Sequence, residues 1–159
     1  MRDVTQNAIQ KTKVAIIGAG FGGLAMSIRL LQSQIKDFVI LEKTNDVGGT
    51  WRENQYPGAA CDVQSHLYSL SFSPKTDWSK RYAEAPEIYQ YIQTLTAEHQ
   101  LQPYIRFNTE VSAAHYLDNQ CLWQLTLNQN ETLTAQFVIF ASGPLHVPQI
   151  PHIAGIEKF

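Results

Sequence analysis

Four consecutive apolar residues, Val14-Ala15-Ile16-Ile17, run without a break into Gly18-Ala19-Gly20-Phe21-Gly22-Gly23. A short continuous apolar run reads as a strand buried on both faces in a parallel sheet. Past the glycines, Leu24, Ile28 and Leu31 recur at helical spacing and the pattern ends near Ser33. Phe38-Val39-Ile40-Leu41 is a second buried run, closed by Glu42. Strand, helix and strand in so short a span form a βαβ unit, which crosses over right-handed. Gly18, Gly20 and Gly23 fit G-x-G-x-x-G. The first lets the chain turn tightly, the second lets backbone approach a pyrophosphate, and the third lets helix pack on strand. No Lys or Arg lies between positions 14 and 28. Phosphate must therefore be held by free N–H groups and the positive end of the helix dipole. Glu42, 19 residues past Gly23, is placed to accept from a ribose hydroxyl and to repel a 2′-phosphate, which excludes NADP from this first site. The pattern predicts a dinucleotide site and leaves NAD and FAD both open.

Composition narrows the class further. A chain of 159 residues, 44% apolar, suits one domain with a real core. A net charge of -2 provides no basic field for a polyanion, so nucleic acid is not expected as a partner. Cys61 and Cys121 form no CxxC or metal-ligand spacing, so neither a disulfide framework nor a metal site is expected. The uncharged stretch from Val14 to Ile28 is too short and too glycine-rich for a membrane span or a signal peptide. The reading is a soluble, cytoplasmic protein without a membrane partner.

Residues 1–12 lack periodicity and read as a flexible N-terminal arm, with one domain over 13–159. Residues 43–85 carry Gly48-Gly49, Tyr56-Pro57-Gly58 and Ser73-Pro74 with little periodicity. So long an irregular stretch inside a domain suggests that it wraps a ligand. Pro86 opens a helix with Ile88, Ile92 and Leu95 on one face, and Pro103 stops it. From Val111 the period falls to two, with Trp123, Leu125 and Leu127 facing one way and turns at Asp118-Asn119 and Asn128 to Asn130, as in a small antiparallel meander. Phe137-Val138-Ile139-Phe140 is a third buried-strand run before Ala141-Ser142-Gly143-Pro144, and the last fifteen residues read as loop. The fold class is α/β: a three-layer, Rossmann-like domain with a parallel sheet and a small antiparallel β-meander.

The segment after Glu42-Lys43 distinguishes the dinucleotides. Gly48-Gly49-Thr50-Trp51 is followed by Asn54, Tyr56-Pro57-Gly58, Cys61-Asp62 and Ser65-His66-Leu67-Tyr68-Ser69. With the glycine loop, this series resembles the class B flavoprotein monooxygenases, the flavin-containing and Baeyer–Villiger monooxygenases, from about Lys13 to the last residue. Phe140-Ala141-Ser142-Gly143 is similar to the family's Ala-Thr-Gly segment, with Ser142 replacing Thr and keeping the hydroxyl. The resemblance implies that Gly18, Gly20, Phe21, Gly22 and Glu42 hold the ADP half of FAD, with Val111 meeting the adenine, and Gly23, Lys43 and Gly143 complete the candidate cofactor-binding set. It implies that Gly49, Thr50 and Trp51 line the path to the isoalloxazine, with Asp62 and Tyr68 beside it. Ala60, Cys61 and Asp62 match the strip where the nicotinamide of NADPH approaches, and Asp62 is the candidate catalytic residue. Each has a plainer reading as well. Trp51 and Tyr68 could be core aromatics, His66 a hydrogen-bonded structural histidine, Cys61 a small hydrophobe, and Asp62 merely a binding carboxylate. Cys61 is not half of a redox pair, because disulfide-reductase flavoproteins place two cysteines just after Gly-Gly-Thr, where Trp51 stands here.

The resemblance also implies what this chain lacks. The family's second dinucleotide fold for NADPH, its substrate pocket and the C-terminal return to the FAD sheet all lie beyond it, and the Baeyer–Villiger signature Phe-x-Gly-x3-His would begin at about Phe159. The domain is therefore expected to be incomplete at its C-terminus and inactive alone. Its exposed sheet edges would favour self-association. The implied activity of the intact protein is NADPH-dependent insertion of one oxygen atom from O2, through a C4a-peroxyflavin, into a ketone or at a nitrogen or sulfur centre. Two alternatives are a non-enzymatic FAD-binding module and an NAD(P)-dependent dehydrogenase. The second is disfavoured because no tyrosine has a Lys four residues on, the Tyr-x3-Lys base pair of compact dehydrogenases.

Overall fold

In the computed structural model, which describes residues 10–128, 130–145 and 148–158, the first strand is longer than its apolar run. β1 spans Gln10–Ile17. Gln10, Lys11 and Thr12 were expected in the arm, yet they pair with Leu133, Thr134 and Ala135 of a later strand. Backbone pairing, rather than apolar periodicity, sets this boundary. Thr12 is buried, and its hydroxyl lies 3.1 Å from Asp37 Oδ1. Residues 1–9 of the expected arm lie outside the described residues.

α1 (Phe21–Gln32) and β2 (Phe38–Leu41) complete the βαβ unit, with Val14 to Ile17 parallel to Phe38 to Leu41. α2 (Thr50–Glu53) and a single 3₁₀ turn at Ser65–Leu67 interrupt the irregular stretch. α3 (Ala85–Glu98) carries Pro86 in its first turn, where a missing N–H costs nothing. Its end is not made by Pro103, which lies in a 3₁₀ turn at Gln102–Tyr104. Instead, Gln100 adopts φ +52°, its N–H donates to Ala97 O, and the Leu101 N–H donates to Thr96 O. This is a Schellman cap, which satisfies the last carbonyls by reversing the chain through a left-handed residue.

β3 (Ile105–Arg106), β4 (Val111–Leu117), β5 (Leu122–Leu127) and β6 (Glu131–Phe140) complete one six-stranded sheet in the order β3-β2-β1-β6-β5-β4. The meander and the third apolar run, read separately from the sequence, share one strand. Glu131 to Ala135 of β6 pair antiparallel with β5, while Leu133 to Phe140 run parallel to β1. The expectation that Phe137 to Phe140 is buried on both faces fails. Past Ala135 the second edge of β6 has no partner among the described residues, and Phe137 and Phe140 are 52% and 61% exposed.

Two cores hold the layers together. On one face of the parallel strands, Ile16 and Ile40 pack with Leu24 and Ile28 of α1 and Ile88 and Ile92 of α3. On the other, Ala15 and Leu41 pack with Leu125, Leu127, Leu133 and Ala135 of the meander. Helices thus cover one face of the parallel strands, and meander residues pack against the other. Leu125 and Leu127 are fully buried, as their period-two spacing demands.

Candidate functional site

The carboxyl ends of the parallel strands meet at one place, held by main-chain bonds. The Gly18 N–H donates to Leu41 O at 2.9 Å, the Ala141 N–H to Ile17 O at 2.9 Å, and the Glu42 N–H to Arg106 O at 3.0 Å. A crevice of about 1240 Å³ opens there. That exceeds the roughly 300–1,000 Å³ of an ordinary small-molecule pocket, as an extended ligand requires. One wall is the start of α1, where Gly20 caps the helix with no side-chain hydrogen bond and no acidic residue occupies the first turn. Its first N–H groups are thus left for a ligand. Facing it is the Gly48-Gly49 turn, whose Gly48 N–H donates to Ala19 O at 3.0 Å. A Cβ added to Gly49 would lie 3.3 Å from Gly20 Cα, so the two glycine segments close directly on each other.

Of the candidate residues, Gly18, Gly20, Phe21, Gly22, Glu42, Lys43, Gly49, Thr50, Trp51, Ala60, Cys61, Asp62, Tyr68, Val111 and Gly143 all line the crevice. Gly23 does not. A Cβ there would fall 1.9 Å from the Gly18 carbonyl oxygen, so this glycine serves the packing of α1 against the end of β1. Lining residues that sequence reasoning left off the candidate set include Thr109, Glu110 and Ala141. The first two precede Val111 directly, and their backbone, which no side-chain pattern reveals, brings them in: the Thr109 N–H donates to Glu42 O at 2.8 Å.

Glu42 is 7% exposed, and its carboxylate is already braced. Oε2 accepts from the Ala19 N–H at 2.8 Å, and Oε1 accepts from the Thr44 N–H at 2.9 Å with the Thr44 hydroxyl 2.8 Å away. A carboxylate offers about four acceptor sites, so capacity for a ribose hydroxyl remains. The charged side chains in the lining are Lys43 against Glu42, Glu53, Asp62 and Glu110. Among the described lining residues, one cation thus stands against four carboxylates, and the uncapped amides of α1 are the other positive groups in the wall.

The aromatic part of the lining is rigid. Trp51 Nε1 donates to Tyr68 Oη at 3.0 Å, and the rings meet edge to face at 5.5 Å. Phe21 meets Tyr68 edge to face at 5.4 Å. All three pack against the helix-side core while lining the crevice, so Trp51 and Tyr68 belong to the core and to the crevice wall at once. Burial raises the Tyr68 phenol above its usual range. The Trp51 N–H works the other way, and the neighbouring acidic groups of Cys61 and Asp62 add to the rise. Asp62 is exposed to the crevice, whereas Cys61 is buried with its N–H donated to Ala83 O. His66 is exposed and does not line the crevice. Among the described residues, no cluster of His, Cys, Asp or Glu could hold a metal ion, and no helix is long and apolar enough to cross a membrane.

Uncapped amides, a braced strand-end carboxylate and a fixed aromatic wall in one elongated crevice fit FAD. Known proteins share sequence and fold with this chain. The family model described as pyridine nucleotide-disulphide oxidoreductase matches residues 15–159. A Baeyer–Villiger monooxygenase of Pseudomonas aeruginosa is 44% identical over 155 residues, covering 98% of this chain and 29% of the relative. A closed crystal structure of cyclohexanone monooxygenase superposes with a TM-score of 0.87 at 34% identity, over 95% of this chain and 29% of that one. The crystal structure of OTEMO with FAD and NADP gives 0.85 at 35% identity, over 93% and 29%. The chain spans just under a third of the length of the relatives it matches. Despite the family's name, Cys61 and Cys121 are both free thiols. On this combined evidence the chain belongs to the pyridine nucleotide-disulphide oxidoreductase family and corresponds, within it, to the N-terminal FAD-binding portion of the class B flavoprotein monooxygenases.

Proposed function

We propose that this chain supplies the FAD-binding part of an NADPH-dependent monooxygenase that inserts one oxygen atom of O2 beside the carbonyl of a small ketone. The observation that carries the reading is the uncapped start of α1 closed against the Gly48-Gly49 turn, at the carboxyl ends of the parallel strands. Bound FAD supplies the redox chemistry that couples NADPH to O2. The chain's own residues bind and orient it. The amides of Phe21 and Gly22 hold the diphosphate, Glu42 accepts from the ribose, and the backbone at Val111 meets the adenine. Trp51 and Tyr68 present an apolar wall that keeps water from the ring. Ala60, Cys61 and Asp62 border the nicotinamide of NADPH, and Asp62 places a negative charge beside the Tyr68 phenol. Ketone, rather than a nitrogen or sulfur centre, is favoured by the relatives' names, cyclohexanone monooxygenase among them. Self-association of this chain through its open strand edge belongs to the same proposal.

Titration of the purified chain with FAD tests it. Quenching of flavin fluorescence and retention of a yellow visible band after gel filtration are expected, with no sustained NADPH oxidation when cyclohexanone is added. Saturating FAD without quenching would refute the binding site. Sustained turnover would refute the claim that the chain is only the FAD part.

A further inference from the structure

Tyr89 lies outside the crevice, on α3, in a position no glycine or family motif marks. Its Oη donates to Asp46 Oδ2 at 2.5 Å across 43 residues of sequence, and Gln93 Nε2 lies 3.3 Å from the same oxygen. Its ring covers Gly48. A Cβ at Gly48 would lie 2.8 Å from Tyr89 Cδ2 and 2.8 Å from Arg52 Cβ, and Gly48 itself has φ +126°. Only glycine fits between these groups in that left-handed conformation. Asp46 in turn reaches the crevice by two routes. Its Oδ1 accepts from the Val47 N–H at 2.8 Å, one residue before Gly48. Its carbonyl oxygen lies 3.0 Å from the Thr44 hydroxyl, which is 2.8 Å from the Glu42 carboxylate. Gly48 closes the loop by donating to Ala19 O.

We infer that Tyr89 is a positioning residue: through Asp46 it fixes the Gly48-Gly49 turn, and with it Glu42, at the spacing from α1 that the dinucleotide requires. The inference rests on the FAD reading above. The physical case is one of leverage. Residues 43–49 carry no helix or strand, so their own local structure cannot hold a turn against α1. α3 is anchored in the core by Ile88, Ile92 and Leu95, each fully buried, and offers a rigid point to tie them to. Burial, followed by the acceptor at Asp46, raises the Tyr89 phenol above its usual range, keeping the hydroxyl in its donor form.

Tyr89→Phe keeps the ring on Gly48 and removes only the hydroxyl. With the loss of one hydrogen bond to a carboxylate, FAD affinity is expected to fall about tenfold, with a drop of about 2–4 °C in the ligand-free melting temperature. In the ligand-free variant, the Gly48 and Gly49 amide resonances should shift, while the Ile16 and Ile92 amide resonances stay where they were. Tyr89→Phe in an Asp46→Ala background should cost little beyond Asp46→Ala alone, because both remove one tie. Unshifted Gly48 and Gly49 resonances, shifts as large at Ile16 and Ile92, or fully additive losses would each overturn the inference. If the wild-type chain takes up no FAD, the cofactor reading fails instead, and the amide measurement still decides whether Tyr89 sets the turn.

Discussion

Glu42 does two jobs with one carboxylate. It faces the crevice, and it also satisfies the Ala19 N–H inside the glycine loop and the Thr44 N–H in the next turn. Removing it strands both donors. A buried, unsatisfied polar group costs roughly 1–3 kcal/mol, and of the two donors only the Ala19 N–H is fully buried. Glu42→Ala is therefore expected to lower the unfolding free energy by roughly 1–3 kcal/mol, read from urea denaturation. Glu42→Gln, which retains an acceptor oxygen, should lose less than half as much. A melting curve for Glu42→Ala identical to wild type would show that the brace contributes nothing. Gly23 is the counterexample at this scale. It belongs to the fingerprint, yet it never reaches the crevice, because its missing Cβ makes room for the Gly18 carbonyl. The fingerprint therefore mixes residues that touch ligand with residues that let the others do so.

At the scale of elements, both long helices end alike. Gln34 after α1 and Gln100 after α3 take φ +61° and +52°. Bonds from Gln34 N–H to Leu31 O and from Ile35 N–H to Leu30 O repeat the cap of α3. A left-handed residue with a Cβ costs roughly 1–2 kcal/mol, a cost that glycine avoids. Gln100→Gly is therefore expected to stabilise the fold by roughly 1 kcal/mol, raising the melting temperature by about 2–4 °C for a domain of this size. An unchanged or lower value in calorimetry would show that the loop entropy of glycine outweighs the relief. These ends were hidden in the sequence because glutamine is not a cap signal. Pro103, the visible stop, is four residues downstream of the true cap residue, His99.

The whole molecule leaves one side unfinished. Phe137, Phe140, Leu145 and Ile150 are more than half exposed, and β6 past Ala135 offers an unpaired edge among the described residues. An open strand flanked by apolar side chains is a template for another strand. The purified chain is expected to associate with a second copy as its concentration rises, seen as a concentration-dependent sedimentation coefficient. Phe137→Lys with Phe140→Lys should return it to the monomer. Association undiminished in that double variant would place the contact elsewhere. The same edge explains why Phe137 and Phe140 are exposed although their run has the apolar composition of a buried strand. Its composition suits a covered strand, but what would cover it does not lie among the described residues.

The sequence by itself determined the βαβ unit, the glycine turn, Glu42 and a candidate set of which all but Gly23 line the crevice. Each of these depends on local rules: apolar periodicity, glycine where backbone must approach, and a carboxylate at a strand end. Only the tertiary structure decided that β6 joins meander and parallel sheet, that Gln10 to Thr12 belong to β1, and that Tyr89 reaches Asp46. Those features are contacts between residues tens of positions apart, and main-chain pairing or a single hydrogen bond across such a distance leaves no periodic trace in the chain.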